Sequence, residues 1–265
     1  WKVRGSVMSD EAMYKIPTID LSVPSLLALA QLGVFAAFTY WGSVDASGVE
    51  YLFPVITGMA GLALFLSVPH ARMIATFGLP AAMCVLSVVL DDPEMIFWAV
   101  FMLIMVGGIA YLPAMALNDE ALGLDEEAMK NRLGPLWVLF ALFTMFMFGT
   151  IDGALEGEFL DEDSDGTEIV TELDSDQQTI AQAGLAMGLI GVVVFLITAV
   201  MGMEVGPMRP WHGGALASGA LFLTMYLWMS TDSANFEPIP DIGMILAISG
   251  ILTLVPCAAF EGSES

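Results

Sequence analysis

Basic residues are scarce in this sequence. The 265 residues include 7 Lys and Arg against 30 Asp and Glu, a formal net charge of −23. This shortage argues against nucleic acid as a partner and against electrostatic docking on anionic lipid, since both depend on positive charge. Charged residues of either sign make up only 14% of the chain, whereas a soluble domain carries about 25%. The composition therefore argues against a soluble domain.

Cysteine is almost absent, with only Cys84 and Cys257. Both lie in apolar stretches that we expect at different membrane depths. A disulfide needs Cα atoms within about 7 Å, so we predict no disulfide. We interpret both residues as small buried apolar side chains.

Ionisable residues are missing from the centres of the long apolar stretches. Such residues inside a bilayer usually mark proton relays, cofactor attachment or catalysis. Their absence argues against a carboxylate proton relay, a lysine Schiff base and an H-E-x-x-H metalloprotease. His70 and His212 lie at the ends of such stretches, where they could bind a metal, sense pH or simply face the interface. We therefore predict that the protein is not an enzyme.

Apolar residues dominate what remains: 57% of the chain is hydrophobic and the mean hydropathy is +0.77. They form eight runs near the ~20 residues that a membrane-spanning helix needs. The predicted fold is all-α, a polytopic integral membrane protein with an eight-helix transmembrane bundle. The predicted spans are Ser22–Gly42, Tyr51–Val68, Met73–Leu90, Met95–Leu117, Gly134–Leu155, Ile180–Met203, Trp211–Ser230 and Ile242–Phe260.

The spans divide the chain into five predicted parts. These are a cytoplasmic N-terminal segment (1–21), transmembrane helices one to four (22–117), a cytoplasmic connecting helix (118–133), transmembrane helices five to eight (134–260) with an acidic extracellular loop (156–179), and a cytoplasmic tail (261–265).

The basic residues set the predicted orientation. With eight spans, all seven fall on one side of the membrane, and cytoplasmic connections are the ones that carry excess Lys and Arg. We therefore predict that the N-terminus and the C-terminus are both cytoplasmic. The basic residues are Lys2, Arg4, Lys15, Arg72, Lys130, Arg132 and Arg209.

Short matches favour an internal repeat. Gly42–Asp45 (GSVD) and Gly149–Asp152 (GTID) end spans one and five, and Pro69–His70 and Pro210–His212 precede or begin spans three and seven. They occur in the same order in both halves, as in a parallel 4+4 repeat, an arrangement common in transporters. The alternative is coincidence, because matches this short are easy to find.

Polar and aromatic residues in the spans suggest few specific roles. Gln31 is the one amide near a span centre, where it either donates to a neighbouring helix or contacts a solute. Six aromatic residues near the predicted outer ends suit the membrane interface. They are Tyr40, Trp41, Tyr51, Trp98, Tyr226 and Trp228.

The segment 161–172, DEDSDGTEIVTE, has the spacing D-x-D-x-D-G-x5-E. Calcium takes six to eight oxygen ligands, and carboxylates two residues apart can converge on it around a glycine turn. The predicted ligands of a weak calcium site are Asp161, Asp163, Asp165, Thr167 (through its backbone carbonyl) and Glu172.

Over these twelve residues the segment resembles an EF-hand loop. It departs from that family at the eighth loop position, where Glu168 replaces an aliphatic residue, and in flanks too short for two full helices. The alternative interpretation is a solvated acidic loop that binds no metal.

We therefore expect a multi-pass protein of the cell membrane that acts as a small-solute or ion permease. The alternative is a structural or accessory subunit of a membrane complex, which the lack of ionisable groups at the span centres and the many small residues at helix-packing spacing favour. The predicted partners are the lipid bilayer and either further copies of the chain or other membrane subunits, with no nucleic acid.

Overall fold

A computed structural model describes residues 23–44, 46–116, 126–162, 168–203, 205–206, 208–231 and 237–258. The described residues form nine helices and one small hairpin, so the fold is all-α apart from that hairpin. The elements are α1 (Val23–Trp41), α2 (Gly48–Phe65), α3 (Ala71–Leu90), α4 (Glu94–Ala116), α5 (Glu126–Met147), α6 (Thr150–Leu155), β1 (Glu158–Glu162), β2 (Glu168–Glu172), α7 (Ser175–Val200), α8 (Pro210–Ser230) and α9 (Pro240–Ala258).

Each of the eight predicted spans overlaps a helix, and the fifth overlaps two, α5 and α6. Three of them, α2, α3 and α7, are long and apolar enough to cross a membrane, and α1, α4, α5 and α9 contain shorter apolar stretches. These helices indicate a multi-pass membrane protein. Helix α8, which corresponds to the seventh predicted span, belongs to neither group. Its side chains are buried along almost its whole length.

The outer surface of the bundle is apolar. In α7, only 22% of the most apolar window is buried inside the protein. Large hydrophobic side chains point outward on other helices, such as Val88 on α3 and Phe146 on α5. A soluble protein rarely exposes continuous apolar surface of this extent, because each exposed Å² costs about 25 cal/mol in water. This surface therefore suits contact with lipid.

Helices α1 and α4 run in opposite directions. Gln31 of α1 contacts Ile109 of α4, and the ring of Trp41, at the end of α1, lies 5.6 Å from that of Trp98, near the start of α4. Short connections between α1 and α4, at 66–70 and 91–93, make α2 and α3 alternate in the same way.

Helices α5 and α8 run in the same direction. A Cβ added to Gly134, near the start of α5, would lie 3.5 Å from the backbone oxygen of Pro210, at the start of α8. Further along, the ring of Phe148, directly after the end of α5, lies 5.1 Å from that of Trp228 of α8. The pairs therefore progress together along both helices.

Helix α7 packs closely and antiparallel against α8. A Cβ added to Gly191 would lie 2.8 Å from the backbone oxygen of Gly213, so only glycine permits this approach. At the other end, Nε2 of Gln177 donates to the backbone oxygen of Ser230 at 3.0 Å. Close helix approach at small residues is a common packing mode in membranes.

The alternating directions give the bundle two distinct ends. We call the end with Trp41, Trp98 and Trp228 the tryptophan end. The opposite end, where α3 and α8 begin beside Arg72 and Arg209, is the arginine end. The first turns of α5, which contain positions 130 and 132, belong to the arginine end as well.

The boundaries around α5 differ from the prediction. Residues 126–133 were expected in a separate connecting helix, but they form the first turns of α5. The predicted span to Leu155 is instead interrupted after Met147, where Gly149 adopts a left-handed conformation with φ +60°. A left-handed glycine commonly ends a helix, and α6 then starts as a separate short helix.

The segment that follows α6 forms an antiparallel hairpin of β1 and β2. Phe159 is buried, and the backbone N–H of Leu173 donates to the carbonyl of Gly157 at 2.9 Å. The side chain of Asp174 then accepts from the backbone N–H groups of Asp176 and Gln177 and caps the start of α7. This hairpin is an addition to the all-α fold that the sequence predicts.

The third and seventh predicted spans occupy different environments. Helix α8 lies in the centre of the bundle and is buried almost throughout, whereas only 39% of the apolar window of α3 is buried. A parallel 4+4 repeat would give α3 and α8 equivalent surroundings. The packing therefore lends that repeat no support.

Candidate functional site

The predicted calcium ligands lie on and between the two strands of the hairpin. Asp161 pairs with Ile169, whereas Glu172 pairs with Glu158 at the other end of the ribbon. The backbone positions of the first and last predicted ligands are therefore not opposite each other. Asp163, Asp165 and Thr167 lie outside the described residues, and the calcium site stays a prediction.

The two histidines have different environments. His70 is exposed and precedes α3 in a left-handed conformation with φ +61°. His212 is buried near the start of α8, where its Nδ1 accepts the backbone N–H of Arg209 at 2.8 Å. Within the described part of the chain, no group of three or more His, Cys, Asp or Glu side chains could hold a metal.

Gln31 makes the interhelical hydrogen bond that one of its two interpretations predicts. Its Nε2 donates to the backbone oxygen of Ile109 at 3.0 Å. In a regular helix, that oxygen would accept from the N–H of residue 113, but Pro113 has no N–H. The side chain of Gln31 therefore replaces a backbone donor that proline removes from α4.

A second irregularity lies in α3. Residues Ile74–Gly78 form a π-helical turn, and Pro80 follows it. Because Pro80 also lacks an N–H, the carbonyl of Thr76 loses its usual donor four residues ahead. Single π-helical turns within α-helices occur often at functional sites, so this turn is a candidate site.

The hydroxyl of Thr76 is unusual among the buried hydroxyls of the bundle. Thr57, Thr144 and Ser218 each donate to the carbonyl four residues earlier, at 2.7–2.8 Å. Thr76 is only 4% exposed, yet its Oγ1 has no hydrogen-bond partner. It is the one such fully buried side-chain atom among the residues that the structure describes. An unpaired buried polar group commonly marks a bound water, an ion or a functional role.

Three consecutive residues of α4 connect Thr76 and Gln31. Gly107 approaches Thr76, whose Cγ2 would lie 3.4 Å from a Cβ added to the glycine. Gly108 accepts the indole ring of Trp137 of α5 against its Cα, and Ile109 receives the Gln31 amide. The α3, α5 and α1 helices thus meet α4 at adjacent positions, which places the two irregular helices side by side.

The tryptophan end is closed by aromatic rings. The ring centroids of Trp41, Trp98 and Trp228 are 5.6–5.7 Å apart, and Phe148 lies 5.1 Å from Trp228. These separations are in the favourable range for aromatic pairs, which stabilise by about 0.5–1.5 kcal/mol each. The three tryptophans lie at the predicted end of the bundle, but they pack on one another rather than spread around its rim.

The sequence analysis is wrong about one residue, Cys84, and misses one candidate site, Thr76. Cys84 was expected to be buried, but it is exposed on the outer surface of α3, where a thiol suits lipid as well as protein. The Thr76 site was missed altogether. Its sequence signal was present, since Pro80 lies four residues after Thr76 just as Pro113 lies four residues after Ile109.

No protein-family model, curated protein or solved structure matches this chain. Inferences about its function therefore rest on the packing and chemistry of its own residues.

Proposed function

We propose that the chain crosses the cell membrane eight times, with both termini in the cytoplasm. The alternating directions of the long helices support this arrangement, and α9 continues the alternation, because its Gly243 lies beside Met229 near the end of α8 and its Gly250 lies beside Phe222 earlier in α8. The backbone positions of Arg72, Lys130, Arg132 and Arg209 all belong to the arginine end. Cytoplasmic ends carry the excess of Lys and Arg, which supports the arginine end as the inner one.

We propose further that the protein is a permease for a small solute or ion rather than an enzyme. The observation that carries this proposal is the π-helical turn of α3, where the buried hydroxyl of Thr76 has no partner and the Cγ2 methyl of the same side chain lies beside Gly107 of α4. Discontinuous helices whose backbone groups lack helical partners form the substrate sites of many transporters. By length along α3, Thr76 lies roughly 8 Å from the arginine end.

The tryptophan cluster supports the same proposal. Its rings cluster at the opposite end of the bundle, where a solute that passes between α1, α4 and α8 would have to separate them. The polar Thr76 near the arginine end and the aromatic cluster at the tryptophan end together fit a transporter that opens alternately to the two sides of the membrane.

A flux assay tests the permease. The purified protein is reconstituted into liposomes, and stopped-flow light scattering measures entry of water, glycerol and urea, while fluorescent indicators measure ion entry. We expect at least one flux above that of protein-free vesicles. The Thr76→Val variant should reduce it, and Thr57→Val, whose hydroxyl bonds its own helix, should not. Equal flux in protein-containing and protein-free vesicles for every solute would contradict the proposal.

The second candidate is a structural or accessory subunit, in complex with further copies of the chain or with other membrane proteins. The observation that favours it is that most buried polar side chains already have a hydrogen-bond partner within the bundle. Each of four such side chains donates to a backbone carbonyl: Gln31, Thr57, Thr144 and Ser218. An interior of this kind needs no solute. Extraction in mild detergent would separate the candidates, because a subunit elutes at the size of a stable complex and conducts nothing when purified alone.

A further inference from the structure

We propose that Thr76 binds a neutral hydrogen-bonding molecule of the size of water between α3 and α4. The site consists of the Thr76 hydroxyl, which can donate and accept and has no partner, and the Thr76 carbonyl, for which Pro80 lacks the N–H that a regular α-helix supplies four residues ahead. Binding by itself does not depend on the proposed permease function. A role of the bound molecule in solute passage does rest on it.

The burial of the hydroxyl is the first argument. A hydroxyl without a partner in an apolar medium is unfavourable, because it has lost its hydrogen bonds to water without replacement. The usual remedy in a membrane helix is a bond to the carbonyl four residues earlier, which Thr57 and Thr144 both make. Thr76 has the same option at the carbonyl of Arg72 but does not take it. A ligand at Oγ1 accounts for this difference.

The local backbone is the second argument. The π-helical turn at Ile74–Gly78 inserts one residue into the helix and displaces its carbonyls from their regular positions. Gly107 of α4 lies on the methyl side of Thr76, where the Thr76 Cγ2 would be 3.4 Å from a Cβ added to the glycine. Among the described residues of α3, Thr76 combines a buried side-chain hydroxyl without a partner with a carbonyl whose α-helical donor position is occupied by Pro80.

Charge decides the class of ligand. No ionisable residue lies at the centre of any of the eight predicted spans, and an unpaired ion in the bilayer interior is strongly unfavourable. One hydroxyl and one carbonyl cannot replace the six or so oxygens of a hydrated cation. They can satisfy a water molecule, which needs two to four polar partners. The site therefore suits a neutral molecule that both donates and accepts.

The direction of a stability change tests the site. Thr76→Val keeps the shape of the side chain and removes only the hydroxyl. If a molecule is bound there, it loses a partner, and we expect the apparent Tm of the purified protein to fall by about 2–4 °C. If the hydroxyl is truly unpaired, its removal relieves an unfavourable burial, and the apparent Tm rises. An unchanged or raised Tm overturns the proposal.

Matched variants make the direction interpretable. Thr76→Ser retains the hydroxyl and should stay closer to the wild-type Tm than Thr76→Val does. Thr144→Val removes a hydroxyl that is equally buried but already bonded to its own helix, so it measures the cost of losing a satisfied hydroxyl. The drop for Thr76→Val must exceed the drop for Thr144→Val.

A second measurement covers a Thr76→Val variant that fails to fold. A high-resolution map of the wild-type protein in lipid nanodiscs should show density within hydrogen-bond distance of Thr76 Oγ1, and an empty site overturns the proposal. Osmotic water permeability of wild-type and Thr76→Val vesicles then separates the two hypotheses. Density at Thr76 without any solute or water flux retains the site and refutes the permease. Flux with an empty site retains the permease and refutes the site.

Discussion

The side-chain Nε2 of Gln31 donates a 3.0 Å hydrogen bond to the backbone oxygen of Ile109, across the boundary between α1 and α4. That oxygen is the one that Pro113 leaves without a helical donor. A polar side chain that looks isolated in its own span therefore completes the hydrogen bonding of another. Transmembrane prolines are tolerated where a neighbouring helix supplies the missing partner.

Replacing Gln31 should destabilise the protein through this oxygen. We expect Gln31→Leu to reduce the free energy of unfolding by about 1–2 kcal/mol, because the Ile109 carbonyl stays unpaired. Pro113→Ala restores an N–H at the position that normally bonds Ile109. In that background, Gln31→Leu should cost less. Unfolding of the four proteins in a double-mutant cycle measures the difference, and equal costs in both backgrounds would refute the assignment.

Gly108 should not tolerate even alanine. A Cβ at this position would overlap the indole ring of Trp137, which is only 1% exposed and has no room to move away. We expect Gly108→Ala to lower stability by about 1–3 kcal/mol through overpacking.

Gly58→Ala is the matched control for that substitution. Its Cβ would meet only ordinary contacts, the nearest at 3.4 Å from Thr39 Oγ1. Stability should stay unchanged or rise by up to about 1 kcal/mol, since alanine favours a helix more than glycine does. Thermal melts of both variants decide the matter, and similar destabilisation by both would show that the contact with Trp137 is unimportant.

Cysteine labelling tests the orientation. In a variant with Cys84→Ala and Cys257→Ala, a single cysteine is introduced by Ser175→Cys at the tryptophan end or Met208→Cys at the arginine end. Both wild-type side chains are exposed. An impermeant maleimide should label the first in intact cells and the second only after the membrane is opened. The reverse pattern would place the arginine end outside.

Calcium should protect the acidic segment 156–179 from proteolysis when it is added outside the cell at millimolar concentration. Asp163→Ala combined with Asp165→Ala removes two predicted ligands and should abolish the protection. Glu156→Ala combined with Glu158→Ala removes the same charge from the same segment but spares the predicted ligands. Equal cleavage of the wild-type protein with and without calcium would refute the calcium site and support the alternative, a solvated acidic loop that binds no metal.

Much of the helical architecture could be predicted because the apolar residues that identify each span lie within the span itself. A run such as Tyr51–Val68 is apolar whatever surrounds it, and α2 occupies Gly48–Phe65. Helix ends were less predictable. Gly149 adopts a left-handed conformation, and α5 ends just before it. A single glycine in an apolar run does not predict whether the helix ends there.

Contacts between helices could not be read from the same pattern. Trp41, Trp98 and Trp228 were each assigned to the membrane interface, a rule that treats every ring alone. Their convergence on one another depends on how α1, α4 and α8 are arranged. The environment of Thr76 depends equally on the approach of Gly107 from another helix. The sequence of α3 alone therefore does not identify the site.

The burial of α8 has a consequence for how the protein is made. This helix is not among those long and apolar enough to enter a membrane on their own, and its glycines and serines suit contact with protein more than with lipid. During synthesis it emerges after α5 and α7 but before α9. We expect its integration at the translocon to wait for partners already in the bilayer, so that removal of the residues that precede Ser175, or deletion of α7, would leave α8 poorly inserted even though its own sequence is intact.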